Sequence, residues 1–168
     1  MAKIYYSGSI LGVPEEDLEL PVKIVQFLLK EGHEVLSKNV AFPSNYTNAD
    51  GTKIKLPQAI LDMQPIPTGE ELHKAIRKID TECVDSAEYI IALINGPSHG
   101  VGMEVERALL REERGLPAAQ ILCLAQERNK NKISPMIRGV DRDIYRNFDI
   151  FLYTDFEDIK VKLKSFVR

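Results

Sequence analysis

Cysteine is scarce. Cys83 and Cys123 are the only two in 168 residues, and each falls inside an expected regular element among apolar neighbours. That argues against a disulfide framework and leaves buried free thiols in a reducing, cytoplasmic setting as the expectation. The three histidines, His33, His73 and His99, lack metal-ligand spacing and have no cysteine pair beside them, so no metal site is expected. No apolar run reaches membrane length, and the first residues show no secretory pattern; neither a membrane span nor a signal is expected. The formal net charge of −3 provides no basic footprint for a nucleic acid polymer. Internal repeats and low-complexity tracts are missing as well. Gly100-Val-Gly102 is half of a dinucleotide fingerprint on a late strand, and no Walker lysine follows it. Hydride transfer and nucleoside triphosphate hydrolysis therefore fit poorly, and no cofactor is expected.

What is present suits one domain spanning 1–168 with a proper core. Its organising stretch is Asn95-Gly-Pro-Ser-His-Gly-Val-Gly-Met-Glu104. The run before it, Tyr89 to Ile94, is short, rich in β-branched residues and bounded by turn residues, which predicts a buried strand. The run after it, Val101 to Arg114, sets Val101, Val105, Ala108 and Leu109 on one helical face and stops at Gly115. A strand, a glycine-containing turn and a helix N-terminus follow in order. Backbone N–H groups and the positive helix end suit a phosphate there, with Pro97 and the two glycines shaping the turn and Ser98 adding a hydroxyl.

The rest of the chain alternates in the same way. Strands are predicted at Lys3–Ser7, His33–Ser37, Ala119–Ala125 and Ile150–Tyr153. Helices are predicted at about Leu18–Glu31, Thr68–Ala87 and Phe156–Val167, with a short helical turn at Ser134–Gly139. Thr68 and Glu71 have capping-box spacing. Segment 41–69, rich in proline, asparagine and glycine, reads as a long loop over the site with one short helix at Gln58–Met63, the alternative being an inert surface excursion. Strand and helix alternation with wholly apolar strands calls for an α/β fold, a parallel sheet with helices on both faces. In such sheets ligands bind beyond the carboxyl ends of the strands. The turns at Gly8–Gly12, Asn95–Gly102 and Gln126–Ser134 all follow strands and converge on that edge.

Two carboxylates could meet there. Asp80 lies beside Ile79 and four residues after Ile76; Glu104 precedes Val105; both border buried faces. Paired carboxylates suit glycosidic bond cleavage, one attacking or stabilising the anomeric carbon and the other handling the leaving group's proton. Tyr5, at the end of the first strand, could hold one of them. The plainer alternatives stay open on spacing alone: Glu104 as a first-turn glutamate pairing with Arg107 or Arg111, Tyr5 as a core aromatic, and Lys78, Glu82 and Asp85 as solvated-face charges.

Taken together, Ile4-Tyr-Tyr-Ser-Gly-Ser-Ile10, Ile76-x-x-x-Asp80, Pro97-Ser-x-Gly-Val-Gly-x-Glu104 and Ile121-Leu-Cys-Leu124 with Ser134-x-Met-Ile-Arg-Gly139 span most of the chain. In order and spacing they resemble the nucleoside 2-deoxyribosyltransferase superfamily, above all its 2′-deoxynucleoside 5′-phosphate N-hydrolase branch. The resemblance implies a flavodoxin-like, doubly wound, five-stranded parallel sheet and a homodimer. It also implies hydrolysis of the bond between base and sugar in a nucleoside 5′-monophosphate through a covalent glutamyl-sugar intermediate. Glu104 matches the nucleophile, Asp80 the acid that assists the leaving base, and Tyr5 the tyrosine organising the carboxylates and sugar. Ser98, Gly100, Gly102 and Ser9 match the 5′-phosphate cradle. Gly8, Ile10 and Ile76 match positions lining the sugar and base pocket, and Ser134 and Met136 match residues lent by the partner subunit. Two positions depart from the hydrolases: Leu11 replaces an arginine that helps bind phosphate, and Asn39 replaces a histidine near the base. A deoxyribosyltransferase exchanging bases and a non-catalytic nucleotide-binding module are the alternatives.

Overall fold

The computed structural model describes residues 1–9, 19–48 and 50–168; Ile10, Leu11 and Gly12 of the first glycine-containing turn lie outside them. Five strands form one parallel sheet in the order β2-β1-β5-β6-β7: β1 (Lys3–Gly8), β2 (Glu34–Val35), β5 (Tyr89–Leu93), β6 (Gln120–Gln126) and β7 (Phe148–Tyr153). β3 (Tyr46–Thr47) and β4 (Lys53–Ile54) make a separate antiparallel pair. The strand order reverses between β1 and β5, which is the flavodoxin-like switch point. Ile90, Ile91, Ile121 and Leu122 at the sheet centre have no exposure at all, in keeping with strands covered on both faces.

The helices divide accordingly. α1 (Glu19–Lys30) and α6 (Phe156–Phe166) cover one face, with Ile24, Leu28, Ile159 and Leu163 packed against Ile4, Tyr6, Ile91 and Leu122. α3 (Gly69–Ser86) and α4 (His99–Leu109) lie over the other, where Val84, Val101, Val105 and Ala108 meet Tyr5, Ile90, Ala92 and Ile121. The alternation of β1 separates its tyrosines: Tyr6 enters the α1 side and Tyr5 the α3–α4 side.

Several local expectations change. β2 is shorter than His33–Ser37 because the Ser37 side chain takes over the ladder: the Tyr6 N–H donates to Ser37 Oγ at 2.8 Å, and that hydroxyl donates to the Tyr6 carbonyl at 2.6 Å. The chain then turns into a short 3₁₀ helix at Lys38–Val40. β7 begins earlier than expected, at Phe148, because polar Asp149 is held on the edge strand by Lys162 Nζ at 2.8 Å. Thr68 occupies the N-cap of α3 without capping it through its side chain. A reciprocal capping box forms instead at Asp155 and Asp158, opening α6. α4 stops at Leu109, and a 3₁₀ turn at Glu112–Arg114 completes the run to Gly115, whose φ of 74° favours glycine.

Segment 41–69 is more structured than the expected loop. It holds the β3–β4 pair and α2 (Gln58–Leu61), and it buries Leu56 and Ile60 completely against Leu72, with Ile76 and Ile79 of α3 packed on the same cluster. Asn45 ties it together, donating to the Leu56 carbonyl at 2.9 Å and accepting from the Leu56 N–H at 2.8 Å. Spaced apolar residues among prolines gave no period, so the miniature core was invisible until α3 was set beside it. Leu56→Ala should cost about 2–5 kcal/mol of stability in denaturant unfolding; a loss below about 1 kcal/mol would show that the segment is not docked on α3.

Candidate active site

α3 and α4 run side by side over the sheet, and the cleft between them forms a cavity of about 330 Å³. Asp80 projects from α3 and Glu104 from α4, and both line this cavity together with Ile76 and Gly100. Beneath them β1 supplies two hydroxyls. Tyr5 and Ser7 are two residues apart on a strand, so both side chains point to the α4 side. The Tyr5 hydroxyl donates to Glu104 Oε1 at 3.0 Å, and Ser7 Oγ donates to Glu104 Oε2. Both donors are about 1% exposed.

The pairing with Arg107 or Arg111 is overturned, because those arginines have other partners. Arg107 binds Asp85 through Nε at 3.0 Å, Arg114 joins the same carboxylate at 2.8 Å, and Arg111 donates to the Ala87 carbonyl at 2.6 Å. Asp85 is thus the centre of a two-arginine cluster rather than a solvated-face charge, and these contacts keep its carboxyl below the usual range despite burial.

The two carboxylates have unequal surroundings. Burial pushes Asp80 up to about 7, and the charge of Glu104 adds to the rise. Burial also raises Glu104, while hydrogen bonds from Ser7 and Tyr5 pull it back. Among the described residues no donor reaches Asp80, so a single shared proton belongs on Asp80, with Glu104 ionised. Tyr5, raised far above its ordinary value by burial and then by Glu104 and Asp80, stays a donor throughout. A buried carboxyl raised to about 7 beside a hydrogen-bonded carboxylate on one cavity is the arrangement that an acid and a nucleophile would need.

The remaining sequence-assigned residues occupy other places. Gly100 and Gly102 lie within the first turns of α4, which starts at His99, instead of shaping the preceding turn. Ser98 is the N-cap; its Oγ accepts from the Val101 N–H at 3.4 Å. Ser98, Gly102, Ser134 and Met136 line a larger, mainly apolar groove of about 980 Å³ that shares Met103 and Arg107 with the smaller cavity. Ser134 caps α5 (Pro135–Arg138), accepting from the Met136 N–H at 3.3 Å, and Met136 is 81% exposed. Gly8 ends β1 at the carboxyl edge of the sheet, and Ser9 follows it. A Cβ on Gly8 would come within 3.0 Å of the Tyr6 phenol, so a larger residue would displace that ring. Asn39 sits half-buried in the 3₁₀ turn after β2 and is not among the described residues lining the cavity. Cys123 is buried, whereas Cys83 is only partly so.

Three residues at the site escaped sequence reasoning. His73 and Arg77 lie about two turns and one turn before Asp80 on the cavity side of α3 and also line the cavity; their spacing from Asp80 could have placed them. Ser7 was legible from strand alternation, since it shares a face with Tyr5.

A doubly wound parallel sheet carrying two buried carboxyls beside its switch point is an α/β architecture with a ligand site of the kind that glycosidic bond cleavage would use. No protein-family model matches the chain. A 5-hydroxymethyl-dUMP N-hydrolase of Esox lucius is 32% identical over 144 residues, covering 85% of this chain and 83% of the relative. The rat protein of that name is 32% identical over 139 residues, covering 81% of this chain and 68% of its own. A Thermofilum pendens protein provisionally named 2′-deoxynucleoside 5′-phosphate N-hydrolase 1 is 28% identical over 163 residues, covering 97% and 93%. The chain belongs to this 2′-deoxynucleoside 5′-phosphate N-hydrolase family. A solved CMP N-glycosidase of Clostridium botulinum, BcmB, shares the fold, with a TM-score of 0.57 at 17% identity and 98% of both chains covered.

Proposed function

We propose that the protein hydrolyses the N-glycosidic bond of 2′-deoxynucleoside 5′-monophosphates, releasing free base and deoxyribose 5-phosphate. The observation that carries this reading is the Glu104 carboxylate, held by Tyr5 and Ser7 in the cavity it shares with Asp80. Glu104 attacks the anomeric carbon as the base departs with the proton of Asp80. The resulting glutamyl ester is then opened by water, which gives its proton to the now ionised Asp80. Tyr5 orients the nucleophile and the sugar. The N-terminal turn of α4, with Ser98, Gly100 and Gly102, and the β1 edge at Gly8 and Ser9 suit the 5′-phosphate through N–H groups and the helix dipole. Ile76 lines the pocket in this reading.

The larger groove favours a homodimer. It leaves Met103 and Met136 exposed at 55% and 81% beside Ile94, Ile133 and Ile137, and a second copy covering it would bring Ser134 and Met136 to the partner's α4.

Chromatography of the products from each common nucleoside and deoxynucleoside 5′-monophosphate, and from the unphosphorylated nucleosides, tests the substrate class. Base release from deoxynucleoside monophosphates alone is expected. Release only from unphosphorylated nucleosides, with exchange into an added free base, would instead identify a transferase. Binding without release over long incubation would identify a non-catalytic module.

A further inference from the structure

Ser7 has no part in the roles assigned above beyond its contact with Glu104. It is 1% exposed, lies opposite the small Ala92 of β5 in the parallel register, and reaches Glu104 Oε2 while Tyr5 takes Oε1. Each carboxylate oxygen thus has its own hydroxyl donor from the same strand. Strand backbone fixes Ser7 more tightly than a loop would, and a serine side chain has one rotatable bond between Cα and its oxygen. We propose that Ser7 is a positioning residue for the reaction: its hydroxyl holds Glu104 ionised and aimed while Asp80 retains the proton.

Two consequences separate this role from packing. Hydrogen bonds to an ionised acceptor are about twice as strong as neutral ones, so Ser7 favours the charged form of Glu104 over the protonated form. Without it, a carboxylate already pushed up by burial rises further, towards Asp80, and the division into one acid and one nucleophile blurs. Ser7 is also not among the residues lining the cavity, so its loss should alter turnover rather than substrate affinity. The inference rests on Glu104 being the nucleophile.

The test compares Ser7→Ala, Ser7→Thr and the parent protein. In Ser7→Ala the acid limb of the kcat/KM profile should move up by about one pH unit, so that at a fixed pH well down that limb turnover falls about tenfold, with KM for a deoxynucleoside monophosphate unchanged. Ser7→Thr, which keeps the hydroxyl, should restore the acid limb; Ser7→Cys, nearly isosteric but a weak donor, covers the case in which the alanine variant misfolds and should shift it in the same direction. Carbon-detected NMR titration of the Glu104 carboxyl in the substrate-free protein should show the same upward shift. A folded Ser7→Ala or Ser7→Cys protein whose Glu104 titration and acid limb coincide with the parent's would overturn the proposal. The carboxyl titration does not depend on catalysis, so it still decides the role of Ser7 if Glu104→Ala retains turnover and the nucleophile reading itself fails.

Discussion

Glu104→Ala should abolish base release from deoxynucleoside monophosphates, lowering kcat by about 10⁴-fold or more, while the protein stays folded and still binds nucleotide. Alanine removes the nucleophile but leaves Val101, Val105 and Ala108, which bury α4 on the sheet, untouched. Tyr5 and Ser7 lose their acceptor, a cost of about 1–3 kcal/mol for buried donors, partly offset because an up-shifted buried carboxylate is no longer enclosed. Thermal unfolding should therefore change little beside turnover. In the parent enzyme, rapid quenching with mass spectrometry should find a deoxyribose 5-phosphate adduct on the peptide containing Glu104. Turnover within tenfold of the parent would remove Glu104 from the mechanism. An inactive variant with no adduct trapped in the parent would leave Glu104 as an electrostatic stabiliser of an oxocarbenium-like transition state.

Asp80→Asn tests the other half of the pair, and its signature lies in pH. In the parent enzyme kcat/KM should be bell-shaped. The acid limb reports ionisation of Glu104, raised above the ordinary glutamate range, and the alkaline limb reports loss of the Asp80 proton near 7. Asparagine cannot donate that proton, so kcat should fall about 10²–10⁴-fold and the alkaline limb near 7 should disappear. Substrates whose bases leave readily without protonation should suffer least. Stability should move in the opposite direction. Because the folded-state value of Asp80 is raised from 3.8 to about 7, its contribution to stability is fully present below about 3.8 and is lost as pH rises through 7. Asp80→Asn should therefore gain stability relative to the parent as pH increases from 4 to 7, with the difference level above that. An unchanged alkaline limb in the variant would assign it to another group; a stability difference independent of pH would mean that Asp80 titrates normally in the folded protein.

Much of this protein could be read without coordinates. The apolar runs Tyr89–Ile94 and Ala119–Ala125 declared buried strands because only strands covered on both faces can be apolar throughout, and their alternation with amphipathic helices required a parallel sheet. The carboxylates were legible too: Asp80 beside Ile79 and Glu104 beside Val105 each bordered an inward stripe. What spacing could not decide was their partners. An inward-leaning glutamate with arginines three and seven residues later has two electrostatically reasonable fates, and Arg107 chose Asp85 on the neighbouring helix because α3 and α4 meet at that point. Likewise the Leu56 and Ile60 cluster needed α3 to define a face, and only the fold put Ser98 on the larger groove, which adjoins the cavity of Asp80 at Met103 and Arg107. Local periodicity determines which residues turn inward. Which of them share a proton is set by contacts between distant segments, as when β1 places Tyr5 and Ser7 under a carboxylate nearly a hundred residues away, and only the tertiary structure brings those segments together.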